Sequence, residues 1–244
     1  MEFAAKTAED AGRILLESNR KKIAKVKGFQ DMALEADIES EKAIIGAIEK
    51  KFPLHNIVSE EAGSIRKGSE FTWCIDPLDG TKNYYRGMPI FSVSIALAKG
   101  SEIIAGAVFD PSTKRMYCAE KGKGAFLNGE KISVSETKEL NATLVYLDSR
   151  NMKGGACDKI LGAVYRARNF GVGSLGLCYT AQGGFDAFVH PKITKDIDIA
   201  AGVIIAREAG AKVTDFEGRQ FSVESESCVA ANGALHAKIL ELLK

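Results

Sequence analysis

Histidine is scarce in this sequence: His55, His190 and His236 are the three, and no two fall at a metal-ligand spacing. Five cysteines (Cys74, Cys118, Cys157, Cys178, Cys228) are widely spaced, odd in number and mostly set in apolar runs. They read as buried, reduced thiols, which excludes a disulfide framework and a zinc site. Neither sign of charge is in excess, since 33 Lys and Arg face 32 Asp and Glu for a net +1. That balance provides no global field for nucleic acid or an anionic membrane. The basic stretch Arg20-Lys-Lys-Ile-Ala-Lys-Val-Lys27 has no interleaved aromatics, and is expected as the solvated end of a first helix. No apolar run approaches the roughly 20 residues of a membrane span. Met1-Glu-Phe-Ala-Ala-Lys6 begins as an amphipathic helix rather than a secretory leader. The expectation is a cytoplasmic protein with neither a nucleic-acid nor a membrane partner.

What is present is enough for a full core: 244 residues, 45% hydrophobic, with no linker, repeat or low-complexity segment. Helices are expected over 3–22 and 38–51, the second ended by Pro53. Strand-like runs follow at 57–59, 71–75, 91–99 and 102–110, the last two joined by the hairpin signal Gly100-Ser101. Further strands at 115–119, 124–127 and 131–134 extend an antiparallel sheet. Beyond Thr143 short strands alternate with helices at 157–165, 174–181 and 199–209, before a closing helix from Leu235. The class is α/β of the α+β type: a single unit over 1–244, with an N-terminal lobe to about 150 and a C-terminal α/β lobe from about 151. Asn151-Met-Lys-Gly-Gly155 is the expected boundary.

The segment Trp73-Cys-Ile-Asp-Pro-Leu-Asp-Gly-Thr-Lys-Asn83 carries the most information. Asp76 falls at the end of a buried strand, and Pro77 holds it extended. The Leu78 carbonyl and the Asp79 carboxylate then turn toward the same space, a set of hard oxygen donors that suits Mg²⁺. Gly80 permits close backbone approach, and Thr81 brings an amide and a hydroxyl to a helix start, a geometry that cradles phosphate. Three other acidic positions stand in comparable places: Glu60 beside Glu61 after a short strand, Asp198 with Asp196 at the first turn of a helix, and Asp37 near another helix start. Each has a structural alternative as a turn residue or a cap. Four such placements together are better explained by one convergent metal site.

Two rival motifs fail. A haloacid-dehalogenase-type phosphatase needs a nucleophilic Asp two residues before Asp79, where Pro77 stands. Gly171-Val-Gly-Ser-Leu-Gly176 matches the dinucleotide-binding glycine pattern, but Tyr165-Arg-Ala-Arg-Asn-Phe170 is too short and charged for the buried parallel strand that should precede it.

Glu60-Glu61, Asp76-Pro-Leu-Asp-Gly-Thr81 and Asp198-Ile-Ala-Ala-Gly202 with Glu208-Ala-Gly210 resemble, in order and spacing, the signatures of the inositol monophosphatase family of Mg²⁺-dependent, lithium-sensitive phosphatases. The resemblance spans nearly the whole chain and points to the short archaeal-type members that act on inositol 1-phosphate and fructose 1,6-bisphosphate. It implies a layered αβαβα sandwich of the sugar-phosphatase superfamily, a homodimer, and two or three Mg²⁺ per site. Glu60, Asp76 and the Leu78 carbonyl would bind one ion, and Asp76, Asp79 and Asp198 a second. Thr81, supported by Asp37, would orient a water activated by Glu60. Substrate contacts would come from Asp79, Gly80, Thr81, Gly173, Ser174, His190 and Arg168. The chain departs from the pattern at Ile197, where many relatives carry Trp, and near His190, where inositol-preferring relatives carry Glu. The resulting expectation is a phosphatase for a small phosphorylated polyol or sugar. The alternatives are a 3′-nucleotidase-like or dinucleotide phosphatase on the same metal site, and a non-catalytic metal- or phosphate-binding module.

Overall fold

The buried faces of the helices explain the layering. In the computed structural model, which describes residues 1–244 except 19, 29–30, 150–151, 153–154 and 192–196, the chain opens with α1 (Glu2–Glu17), whose Ala4, Ala8, Ala11 and Leu15 lie on one inward stripe. There follow β1 (Ile23–Gly28), β2 (Asp31–Leu34), α2 (Glu35–Lys51), β3 (Asn56–Ser59), β4 (Gly63–Ile65), β5 (Phe71–Asp79) and α3 (Thr81–Arg86). The middle of the chain supplies β6 (Ser92–Lys99), β7 (Glu102–Asp110), β8 (Arg115–Glu120), β9 (Gly124–Leu127) and β10 (Glu130–Lys131). The remainder alternates as β11 (Leu144–Leu147), α4 (Ala156–Ala163), β12 (Arg166–Arg168), α5 (Gly173–Ala181), β13 (Ala187–His190), α6 (Ile197–Glu208), β14 (Lys212–Thr214), β15 (Cys228–Ala231) and α7 (Gly233–Leu243).

Two sheets organise these elements, one of eight strands in the order β10-β9-β8-β7-β6-β5-β3-β4 and one of five in the order β12-β11-β13-β15-β14. Helices α1 and α2 cover one face of the larger sheet, with Leu15, Ile44 and Ile48 against Ile75, Val93 and Ile95. Helices α5 and α6 fill the space between the sheets, where Leu175, Leu177, Ile199 and Ile204 meet Val108, Tyr117, Tyr146 and Phe188. On the far side α4 and α7 pack Ile160, Leu235 and Ile239 on Val145, Val189 and Val229. The result is the αβαβα sandwich. All five cysteines are free, with Cys74, Cys178 and Cys228 buried. Among the described residues no helix is long and apolar enough to cross a membrane.

Several boundaries differ from the sequence expectation. Helix α1 stops at Glu17, where Ser18 turns extended and its hydroxyl donates to Ile14 O at 2.7 Å. The basic stretch expected as the helix end is instead β1, antiparallel to β2; its alternation Ala24, Lys25, Val26, Lys27 is a strand period. Strand β5 does not end at Ile75 but runs on through Asp79. The last strand of the large sheet is the two-residue β10, shorter than the expected 131–134. The change of sheet falls between Lys131 and Leu144, since β11 belongs to the five-stranded sheet; of the expected lobe boundary, Asn151, Lys153 and Gly154 lie outside the described residues. Finally, Arg166–Arg168 is a strand after all: β12 pairs parallel with β11 at the exposed edge, where arginines remain solvated.

Candidate functional site

The pairing of β5 with β6 brings the two aspartates of the central motif onto one side. Three residues apart on a regular strand, Asp76 and Asp79 would face opposite ways. Here Asp76 pairs with Ser94 and Asp79 with Ser92, so one extra residue is absorbed on β5 as a bulge, and both aspartates stand opposite residues of like orientation. Pro77 sits inside this irregularity, where a missing N–H is tolerated. The Leu78 amide donates to Asp76 Oδ1 at 3.0 Å, and the Thr81 hydroxyl donates to Leu78 O at 3.1 Å, closing the turn on itself. Gly80 is left-handed with φ +94°, and a Cβ there would meet Val172 Cγ2 at 2.8 Å and Ile90 O at 3.1 Å. No other residue fits.

Acids arrive from two further segments. Ser59 and Ile75 end the parallel pairing of β3 with β5, so Glu60, in the turn after β3, and Asp76, further along β5, are the residues that come next. Asp198 lies in the first turn of α6. Asp76 is 2% exposed, and its carboxyl is held well above the ordinary carboxylate range. Burial is the largest cause, and the charged groups adding to it are Asp198, Asp79 and Glu60. Among the described residues every charged group that shifts Asp76 is therefore another carboxylate. Among the described residues no three acidic, imidazole or thiol side chains are drawn round one point; the four acids stand near enough to repel, as an all-oxygen set able to receive a hard divalent cation.

Asp79 is fixed from the side of the small sheet. Ser174, at the second position of α5, donates both its backbone N–H (2.9 Å) and its hydroxyl (2.6 Å) to Asp79 Oδ2. Its one hydroxyl proton is thereby used, so the Ser92 hydroxyl, 2.7 Å away and equally buried, donates to Ser174 Oγ. Expected as a substrate contact, Ser174 gives both its donors to Asp79. The same arrangement disposes of the dinucleotide reading. The glycine pattern does follow a strand and open a helix, but the helix start that would take a pyrophosphate is taken by Asp79. Gly176 serves packing, since a Cβ there would meet Phe188 and Tyr146 at 2.9 Å.

Arg168 ends β12 and His190 ends β13, the two parallel neighbours of β11. Because α5 follows β12, and α6 follows β13, both helix starts with Ser174 and Asp198 lie at this same carboxyl edge, where open α/β sheets expose their crevice. Arg168 is exposed and places one N–H on the Ala167 carbonyl at 2.8 Å. Phe170, two residues on, is tied to α3 by Asn83 Nδ2 at 2.7 Å. His190 Nε2 stands 3.4 Å from Oδ2 of buried Asp148. Lys192, Lys195 and Asp196 lie outside the described residues. Asp37 is the third residue of α2 and accepts from Leu34 N at 2.6 Å, so part of its work is capping. Glu208 is elsewhere: its carboxylate takes the Gly122 and Gly124 amides at 2.9 and 2.8 Å and ties α6 to the β8–β9 turn.

Three residues that the sequence gives no reason to mark belong here. Besides Ser92, Ser40 on α2 donates to Pro77 O at 3.0 Å. Glu41, also on α2, accepts from the Ser59 hydroxyl and from the Glu61 and Ala62 amides. Serine and glutamate on a helix carry no periodic or motif signal that separates them from solvated neighbours.

Comparison with known proteins agrees with this architecture. The model of the inositol monophosphatase family matches residues 1–244. A fructose-1,6-bisphosphatase/inositol-1-monophosphatase of Aquifex aeolicus is 39% identical over 98% of this chain and 94% of its own length. A Nus factor SuhB of Vibrio cholerae is 36% identical, covering 95% and 91%. The solved structure of an IMPase from Thermotoga maritima superposes with a TM-score of 0.90 at 34% identity, covering 99% and 95%. Matched from end to end in both sequence and fold, the chain belongs to the inositol monophosphatase family.

Proposed function

We propose that this chain hydrolyses the phosphate monoester of a small polyol or sugar, inositol 1-phosphate and fructose 1,6-bisphosphate among them, with Mg²⁺ as cofactor. The observation that carries the reading is the burial of Asp76 among Glu60, Asp79 and Asp198. Like charges in a buried place are unfavourable unless a cation neutralises them. Family membership and the names of the relatives point the same way.

Glu60, Asp76, the Leu78 carbonyl, Asp79 and Asp198 would hold two or three Mg²⁺. When bound, the cation supplies charge neutralisation and a lowered pKa for the attacking water. The remaining steps belong to the chain's own groups. Thr81, with Asp37, orients the water, and Glu60 receives its proton. The Gly80 and Thr81 amides hold the phosphate. Asp79 keeps its place through Ser174 and Ser92. Arg168 and His190 face the remainder of the substrate across the carboxyl edge. No covalent phosphoenzyme is required.

The test is release of phosphate from inositol 1-phosphate, fructose 1,6-bisphosphate and a nucleotide 3′-phosphate, with Mg²⁺ and with chelator. Asp76→Asn should fold yet lose turnover by at least about 10³-fold, because charge is removed from the centre of the site. Near-normal activity in that variant would refute the assignment. The relative named Nus factor favours a second reading, in which the chain works by binding a partner rather than by turnover. Absence of phosphate release on the whole panel would select it.

A further inference from the structure

We infer that Glu41 is a positioning residue for the cation site: its carboxylate fixes the turn that carries Glu60 and so sets where that acid stands against Asp76. This rests on the metal-dependent reading above. The β3–β5 ladder holds the two chains in register only as far as Ser59 and Ile75. Glu60 and Asp76 come immediately after, where no ladder fixes their separation.

Helix α2 takes over at that point. Ser40 and Glu41 are adjacent and buried on its inner face. Ser40 holds the Asp76 segment through Pro77 O at 3.0 Å. Glu41 Oε1 holds the Glu60 turn from both sides, accepting from the Ser59 hydroxyl before it and from the Glu61 and Ala62 amides, both at 3.0 Å, after it. One rigid helix thus grips both segments from neighbouring residues.

Charge does not explain an acid at this place. Glu41 is 5% exposed and lies against the turn of Glu60 and Glu61, so its negative charge adds to the repulsion there. What the position gains is one oxygen able to receive three donors at once. Glutamine keeps that oxygen and drops the charge, whereas alanine drops both.

Calorimetric titration of Mg²⁺ into the intact protein, with Asp76→Asn as control, tests the role. Glu41→Ala should weaken Mg²⁺ binding by about 10- to 100-fold, the range for lost partners behind a metal ligand. Glu41→Gln should stay within about threefold of the parent, and the Mg²⁺ concentration for half-maximal activity should follow the same order. Unchanged affinity in Glu41→Ala, or equal damage in Glu41→Gln, would overturn the inference. Where Glu41→Ala does not fold, Ser59→Ala removes one of the three donors; it should weaken binding several-fold, and unchanged affinity there overturns the inference equally. A parent that binds no Mg²⁺, or an Asp76→Asn that binds as well as the parent, overturns the cation reading itself. A parent that binds and an Asp76→Asn that is weakened, with Glu41→Ala unaltered, removes only the role of Glu41.

Discussion

Arg168 and His190 end the strands on either side of β11, at the same edge as Ser174 and Asp198, so that edge carries an exposed guanidinium and an imidazole at the places where a carboxylate would favour a polyol. A second phosphate suits a guanidinium placed there. Fructose 1,6-bisphosphate should then be cleaved at its 1-position with the 6-phosphate on Arg168, whose exposed guanidinium uses one N–H on Ala167 O and keeps others free for an anion. Charge-assisted contacts of this kind contribute about 1.5–3 kcal/mol, enough for roughly 10- to 100-fold in kcat/KM. Arg168→Ala should lower bisphosphate hydrolysis by that factor and inositol 1-phosphate hydrolysis far less. Equal losses would make Arg168 structural. Glu60, Asp79, Asp198 and Asp37 were legible because each stands at a strand end or a helix start, whereas Asp76, read as a strand end, lies inside β5. Ser40, Glu41 and Ser92 were not, since what distinguishes them is a partner 37, 18 to 21 or 82 residues away.

At the scale of elements, what the sequence missed has one cause: pairing partners are not written beside a strand. The β1–β2 hairpin hid behind a run of lysines that reads equally as a helix end, and the bulge in β5 exists only relative to β6. The glycine pattern before α5 was visible, but its use was not. Gly176 lets α5 lie against Tyr146 and Phe188, and a methyl group there would approach both rings to 2.9 Å. Overpacking of this kind costs about 1–3 kcal/mol. Gly176→Ala should therefore lower the unfolding free energy by about 1–3 kcal/mol, seen as a lower urea midpoint with an unchanged m-value. A midpoint equal to the parent's would show that the rings give way freely.

For the whole molecule, alternation of strand and helix beyond residue 143 announced the second sheet, and apolar periodicity announced the covering helices. Nothing in the sequence said that His236 would be sealed between α7 and β14. The ring is fully buried, with Nε2 2.9 Å from Thr214 Oγ1. The Thr214 hydroxyl donates to Asp215 O at 2.8 Å, so the hydrogen of the ring contact must come from Nε2, leaving Nδ1 unprotonated. Among the described residues Nδ1 has no hydrogen-bond partner, and a second proton placed there would be buried without an acceptor. Burial, helped by nearby Lys212, pushes the imidazole from 6.5 down to about 4. The unfolded chain therefore binds a proton that the folded chain refuses, so this contribution is complete above about pH 6.5 and is lost as pH falls through about 4. At about 1.4 kcal/mol per pH unit, it is on the order of 3 kcal/mol. Carboxylates titrate in part of the same range, so the measurement is a difference. Unfolding free energies by urea at pH 7 and pH 4 should fall more steeply in the parent than in His236→Gln, which can still donate to Thr214 but does not titrate. Parallel pH profiles for the two proteins would mean that His236 takes up its proton in the folded state at an ordinary pKa.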